Sequence, residues 1–265
     1  MRIYFYAMLY CVWVLVAGPT AAHSAAGHNP QIAEDALAST VPSPPLSAPA
    51  VQPTYAPLVD KQIRLEGTAP VSLSIVVNYP ELGLPTIDKH IALWATNMAN
   101  NFQENVTKEA TTDDKTAYEL QGKYTVSRPS AAAVSITYEV WTYTGGAHGN
   151  LDIITLNFDV EGGVQLSLED LFKDVEQALE LMSTYCYSVL NAELSEESTV
   201  NILKSGTSPD TENFSAITLL PNAILIHFQP YQVAPWSVGP QQVRMSLDDL
   251  ASARPQLEIW GRKGT

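Results

Sequence analysis

The stretch that decides the fold covers residues 135–159 and reads SITYEVWTYTGGAHGNLDIITLNFD. β-Branched and aromatic residues recur in partial alternation on both sides of a glycine-rich centre, which is typical of two strands joined as a hairpin. The connector, residues 144–150, is longer than a two-residue turn, and its glycines permit positive φ and close backbone approach. We therefore predict a β-hairpin with a glycine-dependent loop that carries His148 at its tip.

The elements around this hairpin predict an α+β class. Apolar residues recur at helical spacing after Thr86 and again over residues 175–194, and Ser167 to Asp170 has a capping-box pattern that predicts a short helix. Further strands are predicted over 71–79, 118–126, 216–220, 223–228 and 243–245. Because hairpins are mixed with separate helices, we predict antiparallel sheets with a few packed helices, in two small consecutive subdomains.

The N-terminal region has the pattern of an export signal followed by a linker. Arg2 precedes an apolar run over residues 3–17, and small residues then predict cleavage near Ala22 to Ala26. The run is short for a membrane span, so an uncleaved signal anchor is the alternative. We predict a signal peptide over 1–26, a Pro/Ala-rich linker over 27–58, and a periplasmic or secreted location.

The charge balance limits the class of partner. The chain has 28 Asp and Glu against 14 Lys and Arg, a formal net charge of −14. Nucleic-acid binding depends on Lys and Arg, so no nucleic-acid partner is expected, whereas a cationic partner is compatible with the charge. Loss of Cys11 with the signal leaves Cys186 alone, so no internal disulfide is expected, and its helical pattern predicts a buried apolar position.

One residue, His148, is a candidate for a catalytic role. The sequence contains no HExxH, GxSxG, GxxxxGK[ST] or GxGxxG motif, and no metal or cofactor is predicted. His148 would need a partner for catalysis, and Asp152 is the carboxylate near it in sequence. The structural alternative is that its ring bonds a backbone carbonyl and holds the loop in place.

Several motifs resemble a known family. They are the YTGGAHG run from Tyr143, NFD at 157–159, Gly162-Gly163, LSLEDLF from Leu166, FQPYQVAP from Phe228, and Gly239-Pro240. Together they resemble the extracytoplasmic domains found in the anti-sigma factor RsiV and ahead of the catalytic domain of the deacetylase PdaC. The resemblance implies a PdaC-like α+β domain over 59–143 and an RsiV-like α+β domain over 144–260.

The resemblance also implies work at the cell envelope and, in the anti-sigma branch, binding of lysozyme. In that family, deacetylation belongs to a separate domain with an Asp-Asp pair and a paired-His motif. Asp113-Asp114 lacks the glycine expected after such a pair, and no HxxxH occurs. We therefore expect neither the deacetylase nor the sigma-binding function in this chain.

Three functional hypotheses follow. The first, which the sequence favours, is a non-catalytic envelope protein that binds a cationic protein such as lysozyme, or peptidoglycan. The second is a peptidoglycan-directed hydrolase or deacetylase that uses His148 as base or metal ligand, and the third is a structural assembly module. The candidate binding residues for the first are Tyr143, Gly145, Gly146, His148, Asn150, Tyr231 and Trp236.

Overall fold

The computed structural model describes residues 56–68, 71–109, 117–194 and 200–262. The predicted signal peptide, most of the predicted linker and the Asp113-Asp114 pair lie outside these residues. The strands are β1 (Val59–Gly67), β2 (Ser72–Glu81), β3 (Ala117–Ser127), β4 (Ala133–Tyr143), β5 (Asn150–Asp159), β6 (Ile217–Leu220), β7 (Ala223–Phe228) and β8 (Gln241–Ser246). The α-helices are α1 (Pro85–Glu109), α2 (Leu168–Leu171), α3 (Val175–Glu193) and α4 (Val200–Gly206).

Strands β1 to β5 form a five-stranded sheet in chain order. The neighbouring pairs are antiparallel except β2 and β3, which are parallel. This exception has a structural cause, because α1 is a 25-residue helix that carries the chain back to the end of the sheet where β2 began. The predicted α+β class is confirmed, with one parallel pair in an otherwise antiparallel arrangement.

The first core lies between α1 and one face of this sheet. Alternation along β4 places Ile136 and Tyr138 on that face, and both are fully buried. Ile87 and Ile91 of α1 are buried against the same cluster, as the helical stripe predicted. The β4–β5 hairpin is confirmed, since the two strands pair from Ala133 with Asp159 to Thr142 with Asn150.

The second core lies between α3 and a three-stranded antiparallel sheet in the order β6-β7-β8. Met182 and Cys186 of α3 are fully buried there, and burial raises the pKa of the Cys186 thiol to about 12. The predicted helix over 175–194 and the buried position of Cys186 are therefore confirmed. The predicted cap of α2 is also present, because the Ser167 N–H donates to Asp170 Oδ2 at 2.8 Å.

Polar side chains join the second sheet to the face of the first sheet that α1 does not cover. Ser135 Oγ donates to Asn157 Oδ1 at 2.5 Å and accepts the Leu219 N–H at 3.1 Å. Asn157 Nδ2 donates to the Ile217 carbonyl at 2.8 Å, and Ile217 N–H donates to Thr155 Oγ1 at 3.1 Å. We call this set the polar seam.

The polar seam continues along β4 and into the second sheet. Thr137 Oγ1 hydrogen-bonds Thr218 Oγ1, which in turn lies 2.8 Å from His227 Nε2. Desolvation by burial lowers the pKa of His227 to about 4, so the ring is neutral at pH 7. The two sheets are thus joined by hydrogen bonds that fix one register, in addition to apolar packing.

One strand was not predicted from the sequence. β1 forms the outer edge of the five-stranded sheet, and most of its side chains are exposed. The predicted domain boundary at 143/144 stays a prediction, although β4 and β5 on its two sides pair within one sheet.

Candidate functional site

The glycine-rich loop between β4 and β5 is held by two local hydrogen bonds. Gly145 and Gly146 have φ of 95° and 101°, a region that favours glycine, and the Tyr143 hydroxyl donates to the Gly146 carbonyl at 3.1 Å. His148 Nδ1 lies 2.7 Å from the Gly149 carbonyl oxygen. Because a carbonyl oxygen only accepts, Nδ1–H is the donor in this contact. This contact agrees with the structural alternative for His148.

A second segment approaches this loop after β7, and two glutamines hold it. The Gln229 amide bonds both the N–H and the carbonyl of Ile153 at 2.7 Å, which covers the outer edge of β5. Gln232 Nε2 donates to the carbonyls of Gly206 and Asn213 at 3.0 Å, and its Oε1 accepts the Gln229 N–H. The chain between these glutamines is therefore fixed to β5 of the first sheet and to the end of α4 with the loop that follows it.

The loop and this segment bring three rings together. His148 stacks on Trp236 with ring centroids 4.7 Å apart and an interplanar angle of 16°. Tyr231 lies 5.7 Å from Trp236 at 33°, and 56% of its surface is exposed. We call Tyr231, Trp236 and His148 the aromatic platform. Its members come from two segments that are far apart in sequence.

Tyr231 adopts a backbone conformation that suits this exposed position. Its φ is 70°, and a non-glycine residue in the left-handed region costs roughly 1–2 kcal/mol. Such strain persists where the surroundings determine the conformation, and it occurs often at functional sites. The neighbouring hydrogen bonds of Gln229 and Gln232 supply that constraint, so the phenol ring is presented to solvent on a fixed backbone.

The predicted site residues fall into two groups in the structure, and Asn150 lies outside both. His148, Tyr231 and Trp236 form the aromatic platform. Tyr143, Gly145 and Gly146 shape the loop that carries His148, whereas Asn150 is the exposed first residue of β5 and pairs with Thr142. The structure thus joins the two predicted contact segments into one surface, and Asn150 lies in the strand ladder beside it.

Sequence reasoning missed a pocket beside the loop. Gln121, Lys123, Glu139, Trp141 and Leu151 line a shallow, open pocket of about 280 Å³ on the sheet face opposite α1. We call it the open pocket. Gly149 lies directly against the Trp141 indole, where a Cβ would also come within 2.7 Å of the Thr142 carbonyl oxygen. The sequence predicted a strand at Trp141, but no sequence signal indicated which half of the sheet face the second sheet covers.

Asp152 and His148 are the acid and the base that the sequence places near the loop. Burial raises the pKa of Asp152, which alternation along β5 places on the face opposite Leu151 and the open pocket. Among the described residues, no carboxylate lies within hydrogen-bonding distance of His148, and no group of three His, Cys, Asp or Glu side chains could hold a metal ion. Of the helices among the described residues, none combines the length and the apolar character of a membrane-spanning segment.

Comparison with known proteins shows which families this chain resembles. The profile for Deacetylase PdaC matches residues 66–151, and the profile for Protein of unknown function (DUF3298) matches residues 169–248. The peptidoglycan-N-acetylmuramic acid deacetylase PdaC of Bacillus subtilis is 30% identical over 175 residues. The match covers 65% of this chain and 37% of that relative, so the chain spans little more than a third of the relative's length.

Two solved structures share the fold. A DUF3298 family protein from Pseudomonas aeruginosa has a TM-score of 0.60 and 15% identity, covering 77% of this chain and 97% of the other. A DUF3298 family member from Bacteroides fragilis has a TM-score of 0.54 and 17% identity, covering 77% and 96%. The chain thus contains a PdaC-like region and a DUF3298 region, as the resemblance of its motifs predicted.

Proposed function

We propose that this PdaC-family protein is a non-catalytic cell-envelope protein that binds the glycan strand of peptidoglycan on its aromatic platform. The observation that carries the proposal is the stacking of His148 on Trp236 beside the exposed ring of Tyr231. The C–H faces of sugar rings are apolar, and they pack on exposed aromatic rings that are fixed in position. A relative of this chain is named for action on peptidoglycan.

The surroundings of His148 support binding over catalysis. Its Nδ1 proton is used on the Gly149 carbonyl, and its ring face is used on Trp236. A general base needs a positioned partner or a proton within reach, and the described carboxylates lie elsewhere. The apolar run over residues 3–17 supports an extracytoplasmic location, which is part of the proposal.

The test is co-sedimentation with purified sacculi, combined with calorimetry against the soluble disaccharide of N-acetylglucosamine and N-acetylmuramic acid. Tyr231→Asn removes the phenol while keeping a residue that tolerates the left-handed region, and Trp236→Ala removes the indole. We expect each variant to weaken binding about tenfold, which corresponds to about 1.4 kcal/mol. Val164→Ala is the matched control, because Val164 is 59% exposed and lies outside the platform.

Two results would overturn the proposal. One is a wild-type protein that binds neither sacculi nor the disaccharide, and the other is a Tyr231→Asn, Trp236→Ala double variant that binds as tightly as the wild type. Calorimetry with lysozyme runs in parallel, since the acidic charge makes a cationic protein the other partner class. Binding of lysozyme without binding of either glycan probe would replace the proposal.

The enzyme alternative has its own readout. Release of acetate or reducing sugar from sacculi by the wild type, and its loss in His148→Ala, would assign catalysis to the loop. We expect neither product from either protein, together with weaker sedimentation of His148→Ala, because that variant loses one ring of the platform.

A further inference from the structure

The open pocket combines an aromatic wall with polar and charged side chains that could bind a polar ligand. Trp141 and Leu151 are partly buried and supply apolar surface, whereas Gln121, Lys123 and Glu139 are exposed around them. Small-molecule sites commonly combine an aromatic or apolar lining with a few convergent polar groups. The pocket therefore offers an ammonium, a carboxylate and an amide around one indole.

The two charges in this pocket are unused by the fold. Lys123 and Glu139 face each other as directly opposite residues of β3 and β4. Opposite charges in that arrangement usually pair across the strands, yet neither side chain forms an ion pair within the described ranges. A ligand that carries both an anionic and a cationic group would satisfy both without breaking an existing contact.

The glycine-rich loop contacts both the open pocket and the aromatic platform. Gly149 packs on Trp141, the neighbouring residue His148 stacks on Trp236, and both contacts belong to the same loop. Two consecutive residues of one loop therefore contact the two indoles, one in the platform and one in the pocket.

We propose that the open pocket is a second subsite, which takes the peptide that peptidoglycan carries on its glycan. Lys123 binds a peptide carboxylate, Glu139 binds a peptide amine, and Trp141 packs against the peptide chain. Peptidoglycan peptides carry both kinds of group on a short chain, which matches the opposite charges of the pocket. The inference rests on the proposed function, because the glycan on the platform brings the peptide to the pocket.

Calorimetry of the full chain with two probes tests this subsite. The probes are a disaccharide-tetrapeptide muropeptide and the same disaccharide without its peptide. We expect the wild type to bind the muropeptide about tenfold more tightly. Lys123→Met and Glu139→Gln are each expected to remove most of that gain while leaving disaccharide affinity unchanged. Tyr231→Asn should weaken both probes by the same factor.

Matched controls make the same charge changes elsewhere. Lys89→Met alters an exposed lysine of α1, and Glu180→Gln alters an exposed glutamate of α3. Both should retain the full gain from the peptide. Equal affinity of the wild type for the two probes, or a full gain in Lys123→Met, would overturn the subsite while leaving glycan binding in place. Failure of both probes to bind the wild type would instead overturn the proposed function.

Discussion

The protonation of His227 gives a stability prediction with a defined pH window. The ring lies in the polar seam, where Nε2 is 2.8 Å from Thr218 Oγ1, and burial lowers its pKa from 6.5 to about 4. The unfolded chain therefore takes up a proton at higher pH than the folded chain. Stability from the neutral ring is complete above pH 6.5 and is lost as the pH falls through 4.

The magnitude follows from the two pKa values. Linkage between a pKa of 6.5 and one of about 4 predicts a loss of roughly 2 kcal/mol in the free energy of unfolding between about pH 7.5 and about pH 5. Because the ring keeps part of its solvent contact, we expect roughly 1–2 kcal/mol. His227→Gln keeps a side chain that can bond Thr218 and removes the titration.

The assay is urea unfolding of the wild type and of His227→Gln at both pH values, with the slopes compared to exclude changes in the unfolded state. We expect the wild type to lose more stability than the variant by the amount above. His90→Gln is the control, since His90 is exposed on α1, and it should follow the wild type. Equal losses in the wild type and His227→Gln would refute the reasoning, because they would mean that the buried ring titrates as in water.

Three further predictions concern single contacts. Gly149→Ala places a Cβ against the Trp141 indole and should cost about 1–3 kcal/mol, with a shift in tryptophan emission, measured by thermal unfolding followed by fluorescence. Asn157→Leu leaves the Ile217 carbonyl without its donor and should lower the free energy of unfolding in urea by about 1–3 kcal/mol. An unchanged midpoint would contradict the claim that the polar seam stabilises the contact between the sheets. Gln229→Ala uncovers the edge of β5, so hydrogen exchange at the Ile153 amide should accelerate while the core of α3 stays protected.

Elements with strong periodicity could be predicted from the sequence. The stripe from Ile87 and the buried face around Met182 predicted α1 and α3, because a single apolar face at helical spacing has few other solutions. β1 could not be predicted, since charged residues such as Lys61 and Arg64 interrupt its pattern at an exposed sheet edge. The parallel pairing of β2 with β3 is set by the crossover of α1, which residue patterns do not encode.

The sequence indicated the residues of the candidate site, but it did not predict that they contact one another. Glycine spacing indicated the His148 loop, and the proline-rich segment indicated Tyr231 and Trp236, yet their stacking depends on how β7 lies beside β5. The sequence placed Trp141 in a strand but did not predict the pocket beside it. Alternation along a strand gives the face on which a side chain lies, but not what packs against that face. The open pocket exists because the second sheet covers only the half of the face around Ser135 and Asn157.

The polar seam affects the distance between the aromatic platform and the open pocket. An apolar contact between two sheets tolerates small slips, whereas Ser135 and Asn157 each bond a specific backbone group of β6. Tyr231 and Trp236 of the aromatic platform follow β7 of the second sheet, whereas the open pocket lies on the first sheet, so the seam helps to fix the distance between these two rings and the pocket. Under the proposed function, a ligand would occupy the platform and the pocket together only when the spacing between its glycan and peptide parts matches that separation.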